Sequence, residues 1–194
     1  IAQHAGGGKA EQIFLRGFDI DHGTDLAISV DGILPVNMVS HAHGQGYSDL
    51  HFLIPESIQS VDFNAGSYDA SKGNFATAGS VNFKIKDRID HTQINFETGQ
   101  YQYSRLSGLV NLKEGDKSNS YAGIEYLQSS GYFDAPQDLK KLNALLKYNY
   151  MISPRLKFKS SLSYFKSSWS ASGQIPEREV RAGRISRFGS IDPT

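Results

Sequence analysis

Two adjoining segments, Leu139 to Ile152 and Pro154 to Ser168, alternate apolar and polar side chains almost without a break. In the first, Leu142, Ala144, Leu146, Tyr148, Tyr150 and Ile152 share one face, with Asn143, Lys147 and Asn149 opposite. In the second, Leu156, Phe158, Leu162 and Tyr164 share a face, with Lys157, Lys159, Ser161 and Ser163 opposite. A period of two is the signature of a strand. The same alternation marks His91 to Gln100, Ser104 to Lys113 and Asn119 to Ser129. A strand of about ten residues, rising ~3.3 Å per residue at ~45° tilt, climbs ~23 Å, the height of the apolar band of a membrane barrel.

The connections alternate too. The Gly115 to Ser118 and Ser153 to Arg155 turns are minimal, the one through Gly131, Tyr132 and Pro136 is longer, and the run after Trp169 reads as an unstructured outer loop. Short turns on one side and long loops on the other are the barrel pattern. Tyr101, Tyr103, Tyr132, Phe133, Tyr164 and Trp169 toward the outer ends, and Tyr121, Tyr148 and Tyr150 toward the inner, predict aromatic girdles.

Composition agrees. With 19 glycines in 194 residues, 11% aromatics and zero net charge, the chain fits an all-β protein. It has no twenty-residue apolar run for a membrane helix, although barrel strands need none. Without cysteine there are no disulfides, thiolate metal sites or cysteine nucleophiles, and balanced charge argues against a nucleic-acid partner. Ile1 without an initiator methionine, and an end in mid-loop at Asp192 to Thr194, predict an internal fragment.

The first half is organised differently. Gly6 to Gly8 lie in a glycine-rich loop, Gln12 to Phe18 gives a short strand ended by Gly17, and Leu26 to Asp31 a second strand closed by the Asp31-Gly32 turn. Pro35 to Leu50 reads as an irregular loop. Pro55 followed by Glu56 suits the first turn of a helix, and Ile58 to Ala65 resumes strand alternation. After a loop to Gly79, Val81, Phe83 and Ile85 alternate with Asn82, Lys84 and Lys86.

Leu15-Arg16-Gly17, Val30-Asp31-Gly32 with Pro35-Val36-Asn37, Ile54-Pro55-Glu56, and Ala78-Gly79-Ser80-Val81-Asn82-Phe83 follow one another in an order and spacing that resembles the plug of TonB-dependent outer-membrane receptors. The resemblance covers roughly ninety residues and marks Arg16, Gly17, Asp31, Gly32, Pro55, Glu56 and Gly79 as structural plug positions. It departs from the family at Asn64-Ala65-Gly66-Ser67-Tyr68, where many relatives carry Arg- or Lys-Gly-Pro. The resemblance implies an all-β fragment of a plugged transmembrane barrel. Residues 1–87 would be the C-terminal part of a small mixed α/β plug, and residues 88–194 the first five or so strands with an outer loop. The barrel implied has about 22 strands, and five cannot close. It further implies a Gram-negative outer-membrane location, uptake of a scarce nutrient such as a metal chelate or siderophore, a TonB-type energising partner, contact with outer-membrane lipid, and neither enzymatic activity nor a cofactor.

In the family the loops after the Arg-Gly and Asp-Gly strands face the external pocket, which implicates Asp21, His22, His41, His43, Gln45 and Tyr47 in substrate contact. Three readings of the histidine loop stand. Met38, His41 and His43 have the ligand types of a copper or zinc site, the same side chains suit hydrogen bonds to a chelated or organic substrate, and they equally suit pinning the loop to the barrel wall. Asp19, Asp21 and Asp25 fail as a calcium loop because Gly23 stands at the third acidic position. Ser48, Asp49 and His51 lie too close together on one segment to be expected to orient one another as a triad, and no G-x-S-x-G elbow is present. Arg16 and Arg88 are expected to be buried or lumen-facing partners of plug and barrel carboxylates, and Lys157 and Lys159 to face the lumen. The rival readings are a soluble or surface all-β ligand-binding module, in which the apolar strand faces lie on a core, a small metalloenzyme or metal-storage domain built on the histidine loop, and a copper- or zinc-binding receptor using His41 and His43.

Overall fold

The computed structural model describes residues 7–8, 13–15, 18–20, 26–32, 34–36, 49–72, 76–171 and 175–191. Strands β1 (Ile13–Leu15) and β2 (Phe18–Ile20) pair antiparallel with Leu15 opposite Phe18, so the single strand expected over 12–18 is two short ones. A second sheet has the order β4 (Leu34–Pro35), β3 (Leu26–Val30), β6 (Gly79–Ile85), β5 (Ile58–Ala65), with β3 and β6 parallel and the outer pairs antiparallel. The third is an antiparallel meander, β7 (Gln93–Thr98), β8 (Ser104–Lys113), β9 (Ser118–Ser129), β10 (Leu139–Ser153) and β11 (Leu156–Ser168), each strand paired with the next. These five follow the alternation in the sequence closely. The segment after Trp169 does not: it holds a short helix α1 (Glu177–Arg181) and is tied back to the β9–β10 loop by Asp134 N–H donating to the Phe188 carbonyl at 2.9 Å.

The small sheet carries an ordinary core. Leu26, Ile28 and Val30, the alternate residues of β3, are buried with Val36, Leu53 and Ile85, and Leu50, Phe52, Ile58, Val81 and Phe83 pack around them. Gly79 is required where β6 begins, since a Cβ there would lie 2.4 Å from the Asn64 carbonyl oxygen.

The five-stranded sheet is inverted relative to a soluble protein. On β10 the polar residues are the buried ones, Asn143 at 0% and Lys147 at 3% exposure, while Ile152 on the opposite face is 55% exposed and Leu162 of β11 69%. In register across the outward face run Phe96, Leu106 and Tyr126, then Ile94, Ile124 and Tyr164, then Val110, Leu146 and Leu162, all of them exposed, with the less exposed Gly108, Ala122, Leu142 and Ala144 among them. An apolar outer face and a polar inner one suit a wall with hydrocarbon outside and an aqueous, filled lumen within. Among the described residues nothing covers the apolar face.

The small sheet sits against the inner face. Ile54, Ile89, Leu109 and Tyr121 form a second core across the junction, and Leu145 touches both cores. Gly123 of β9 makes room for this contact, because a Cβ there would stand 3.2 Å from Ile54 Cδ1 and 3.0 Å from Leu109 Cδ2. The register also orients the unit. Lys86 and Asp87, just past β6, bond to Tyr121, Asn149 and Lys159, close to the short wall turns. The ends of β5 and β6 joined by residues 66–78 therefore lie toward the long-loop end.

Candidate functional site at the plug and wall junction

Pro55 starts the single helical turn Pro55–Ser57, as its fixed φ favours, and Ser57 Oγ donates back to the Ile54 carbonyl at 2.6 Å. This turn aims Glu56 at the wall. Arg105 of β8 grips Glu56 bidentately, Nη1 to Oε1 at 2.8 Å and Nη2 to Oε2 at 2.7 Å, and also donates to Glu97 at 2.6 Å and to Glu125 at 2.7 Å. Ser107 Oγ adds a bond to Glu56 at 2.7 Å. Glu125, 1% exposed, further accepts from Asn143 at 2.7 Å and pairs with Lys141 at 3.1 Å, and Asn143 donates also to the His51 carbonyl at 2.7 Å. One planar guanidinium thus satisfies three carboxylates from the small sheet's segment and two wall strands, geometry a lysine does not offer.

A second attachment lies farther along β10. Asp31 and Gly32 take positive φ, 53° and 70°, as the Asp-Gly turn requires. The turn then uses both oxygens of Asp31: Oδ1 accepts from Ile85 N–H at 2.9 Å, closing the small sheet, and Oδ2 accepts from the buried Lys147. Tyr121 donates to the Lys86 carbonyl at 2.8 Å, Asn149 to the Asp87 carbonyl, and Lys159 to the Asp87 carboxylate at 2.6 Å. At both attachments the wall supplies the donors and the enclosed segment the acceptors.

Burial pushes the Glu56 carboxyl up, but hydrogen bonds from Arg105 and Ser107 outweigh it and hold it at about 2 against an ordinary 4.5. A carboxyl depressed on docking stabilises the docked state fully above its free value and loses that contribution as pH falls through the depressed one. The attachment is therefore expected to weaken by about 3 kcal/mol as pH drops from near 4.5 toward 2. Protease cleavage of the small sheet in the full-length protein, held in membrane vesicles, should rise across that window, and Glu56→Gln should flatten the rise. An equally steep rise in the variant would assign the effect elsewhere.

Of the positions expected from sequence, Asp31, Gly32, Pro55 and Glu56 lie at or beside this junction, while Gly79 lies within the small sheet against Asn64. Arg16, Gly17, Asp21, His22, Met38, His41, His43, Gln45 and Tyr47 lie outside the described residues. Among the described residues no group of three histidine or acidic side chains is placed to hold a metal ion. Some expectations are corrected. Arg88 does pair with a wall carboxylate, Glu114 at 3.6 Å, but it is exposed rather than buried, and the buried arginine is Arg105. Tyr121 points inward and is buried, so it belongs to the junction rather than to a girdle. Asp49 and His51 do orient one another, Oδ1 to Nδ1 at 2.7 Å with the His51 N–H on the same oxygen at 2.8 Å. Burial raises the Asp49 carboxyl, and these bonds outweigh it and hold it below its usual range. Arg105, Glu97, Glu125 and Lys141 were missed, although charged residues at inward positions of successive strands were a readable signal.

An inside-out wall clasping a small mixed sheet through buried ion pairs defines the class: a plugged β-barrel. The comparisons agree. Residues 1–80 match the TonB-dependent Receptor Plug Domain family. The ferric citrate transporter FecA in its unliganded form superposes on 100% of this chain and 30% of its own, with TM-score 0.76 and 16% identity. The pyoverdine outer membrane receptor FpvA from Pseudomonas aeruginosa PAO1, bound to pyoverdine, covers 85% of this chain and 24% of its own at TM-score 0.62 and 17% identity. The siderophore receptor PiuA from Acinetobacter baumannii covers 84% and 21% at TM-score 0.57 and 18% identity. The chain thus spans less than a third of the length of these structures. Residues 1–80 are a TonB-dependent receptor plug domain, and the chain carries it with a five-stranded piece of barrel wall.

Proposed function

We propose that the chain is part of a receptor in a Gram-negative outer membrane that takes up a scarce nutrient, a metal chelate or siderophore, with energy from a TonB-type partner. Residues 1–87 are then the later part of its plug, and 88–194 the first wall strands with an outer loop. The observation that carries this reading is the sorted junction, in which buried wall donors hold plug acceptors while the other face of the wall is apolar. Solved relatives described as ferric citrate, pyoverdine and siderophore receptors favour an iron chelate as the substrate class. Asp21, His22, His41, His43, Gln45 and Tyr47 are assigned to substrate contact at the outward end of the plug. Substrate binding there shifts the plug, the partner pulls it, and rupture of the Glu56 and Asp31 attachments opens a path along the polar wall.

The test is uptake of radio-iron as ferric citrate, a ferric catecholate and a ferric hydroxamate by cells whose only receptor is the full-length protein. Accumulation of one chelate that stops when TonB is deleted is expected. Accumulation that is indifferent to TonB, or absent for every chelate, would remove the transport reading.

A further inference from the structure

At its long-loop end the outward face of the wall stops being apolar. One register row crosses Phe96, Leu106, Tyr126, Leu142 and Lys166, and the last row beyond it crosses Thr98, Ser104, Gln128, Lys140 and Ser168. Resting on the reading of the chain as part of an outer-membrane receptor, we infer that Lys140 and Lys166 together bind a phosphate of a glycolipid headgroup in the leaflet at that end.

The pairing Lys140 to Ser168 and Leu142 to Lys166 makes the two lysines diagonal neighbours, both exposed, with backbones roughly 7 to 8 Å apart. The acidic residues within the five strands are Glu97 and Glu125, and both face inward onto Arg105. The inward lysines Lys141, Lys147 and Lys159 each meet a carboxylate. Among the described residues Lys140 and Lys166 meet none. Like charges side by side repel, and at the edge of an apolar band they are short of water, so an anion held between them offsets both costs. At the short-turn end the same two strands face outward with Tyr150, Ile152, Leu156 and Phe158, none of them charged. The positive charge therefore selects one leaflet.

Position and chemistry both point to a lipid head. The end of an apolar band is where headgroups lie, and a lysine there lays its four-carbon stem along the apolar surface and lifts its ammonium to the phosphate level. The row around Lys140 suits a sugar better than a simple phospholipid. The hydroxyls of Thr98, Ser104 and Ser168 can each donate and accept. Tyr126 donates its hydroxyl to Gln128 Oε1 at 3.4 Å, which leaves the Gln128 amide nitrogen to donate elsewhere.

The test uses the full-length receptor purified in a neutral detergent and native mass spectrometry with three probes: lipid A, a phosphorylated disaccharide lipid; lipid A stripped of phosphate; and phosphatidylglycerol. The parent should retain lipid A in preference to the other two. Lys140→Gln combined with Lys166→Gln should weaken lipid A about thirtyfold, and Lys140→Arg combined with Lys166→Arg should keep it. In lipid-free detergent the Gln pair should leave Tm level, since neither lysine has a described partner to lose. A fall in that Tm with lipid A binding undiminished would mean that the lysines pair with a neighbouring wall strand, and would overturn the site. Equal retention of the phosphate-free form, or of phosphatidylglycerol, would overturn it as well. Should the Gln pair fail to fold, the comparison of the three lipids on the parent decides. If cells take up a chelate under TonB control while lipid A binding ignores both lysines, the lipid assignment alone falls; if there is no uptake at all, the transport reading falls on its own evidence.

Discussion

Replacing Arg105 with methionine in the full-length receptor is expected to cost roughly 3 to 5 kcal/mol of plug docking. The substitution leaves Glu125, 1% exposed, with only Lys141 and Asn143, and takes both strong bonds from Glu56. The cost is that of a stranded buried charge rather than of the pair itself, which gives a second expectation. Adding Glu56→Gln, Glu125→Gln and Lys141→Met should recover much of the loss, because a buried ionic group replaced as a whole is often close to neutral. Denaturant unfolding of the receptor in detergent, with proteolysis of the plug as a second probe, measures both. A loss below about 1 kcal/mol for the single change would mean that the contact behaves as a solvated surface pair.

Leu162→Arg should be the most damaging change on the outward face, by roughly 2 to 4 kcal/mol, because Leu162 stands at the middle of β11 where a lipid-facing charge costs most. Its neighbour Ser163 faces inward opposite Leu145, and Ser163→Arg should cost far less. Reversible folding into phospholipid vesicles, read by urea titration, separates them. Equal costs, or a larger one at Ser163, would favour a soluble sheet with its apolar face on a protein core.

The wall was legible in the sequence because its period of two is a backbone property that lipid on one side and a filled lumen on the other both preserve. All five strands lie where the alternation put them, even to the turn at Ser153. What alternation cannot give is a partner. It placed Asn143, Lys147 and Asn149 on a polar face, but their acceptors, the His51 carbonyl, Asp31 and the Asp87 carbonyl, lie 92, 116 and 62 residues away in the chain. Arg105 differs from Arg88 in its inward parity: it stands opposite Glu97 and two residues from Ser107, which stands opposite Glu125. The helix after Trp169 escaped notice because it is a single short turn among glycine and proline, with nothing periodic to see.

The attachments of the plug meet β10 at Asn143, Lys147 and Asn149, spread over six residues and hence over roughly 20 Å of the strand. Their spacing decides how the plug responds to force. In the transport proposed above, a pull that lifts one end of the plug off the strand loads the nearer contacts first, and the plug peels away as a zip opens, one small barrier after another, instead of shearing at the sum of all its bonds. With hydrogen bonds of about 0.5 to 1.5 kcal/mol net, and somewhat more where charged, each step is within reach of a modest mechanical load. A plug can therefore be tightly shut at rest and still give way to a directed tug.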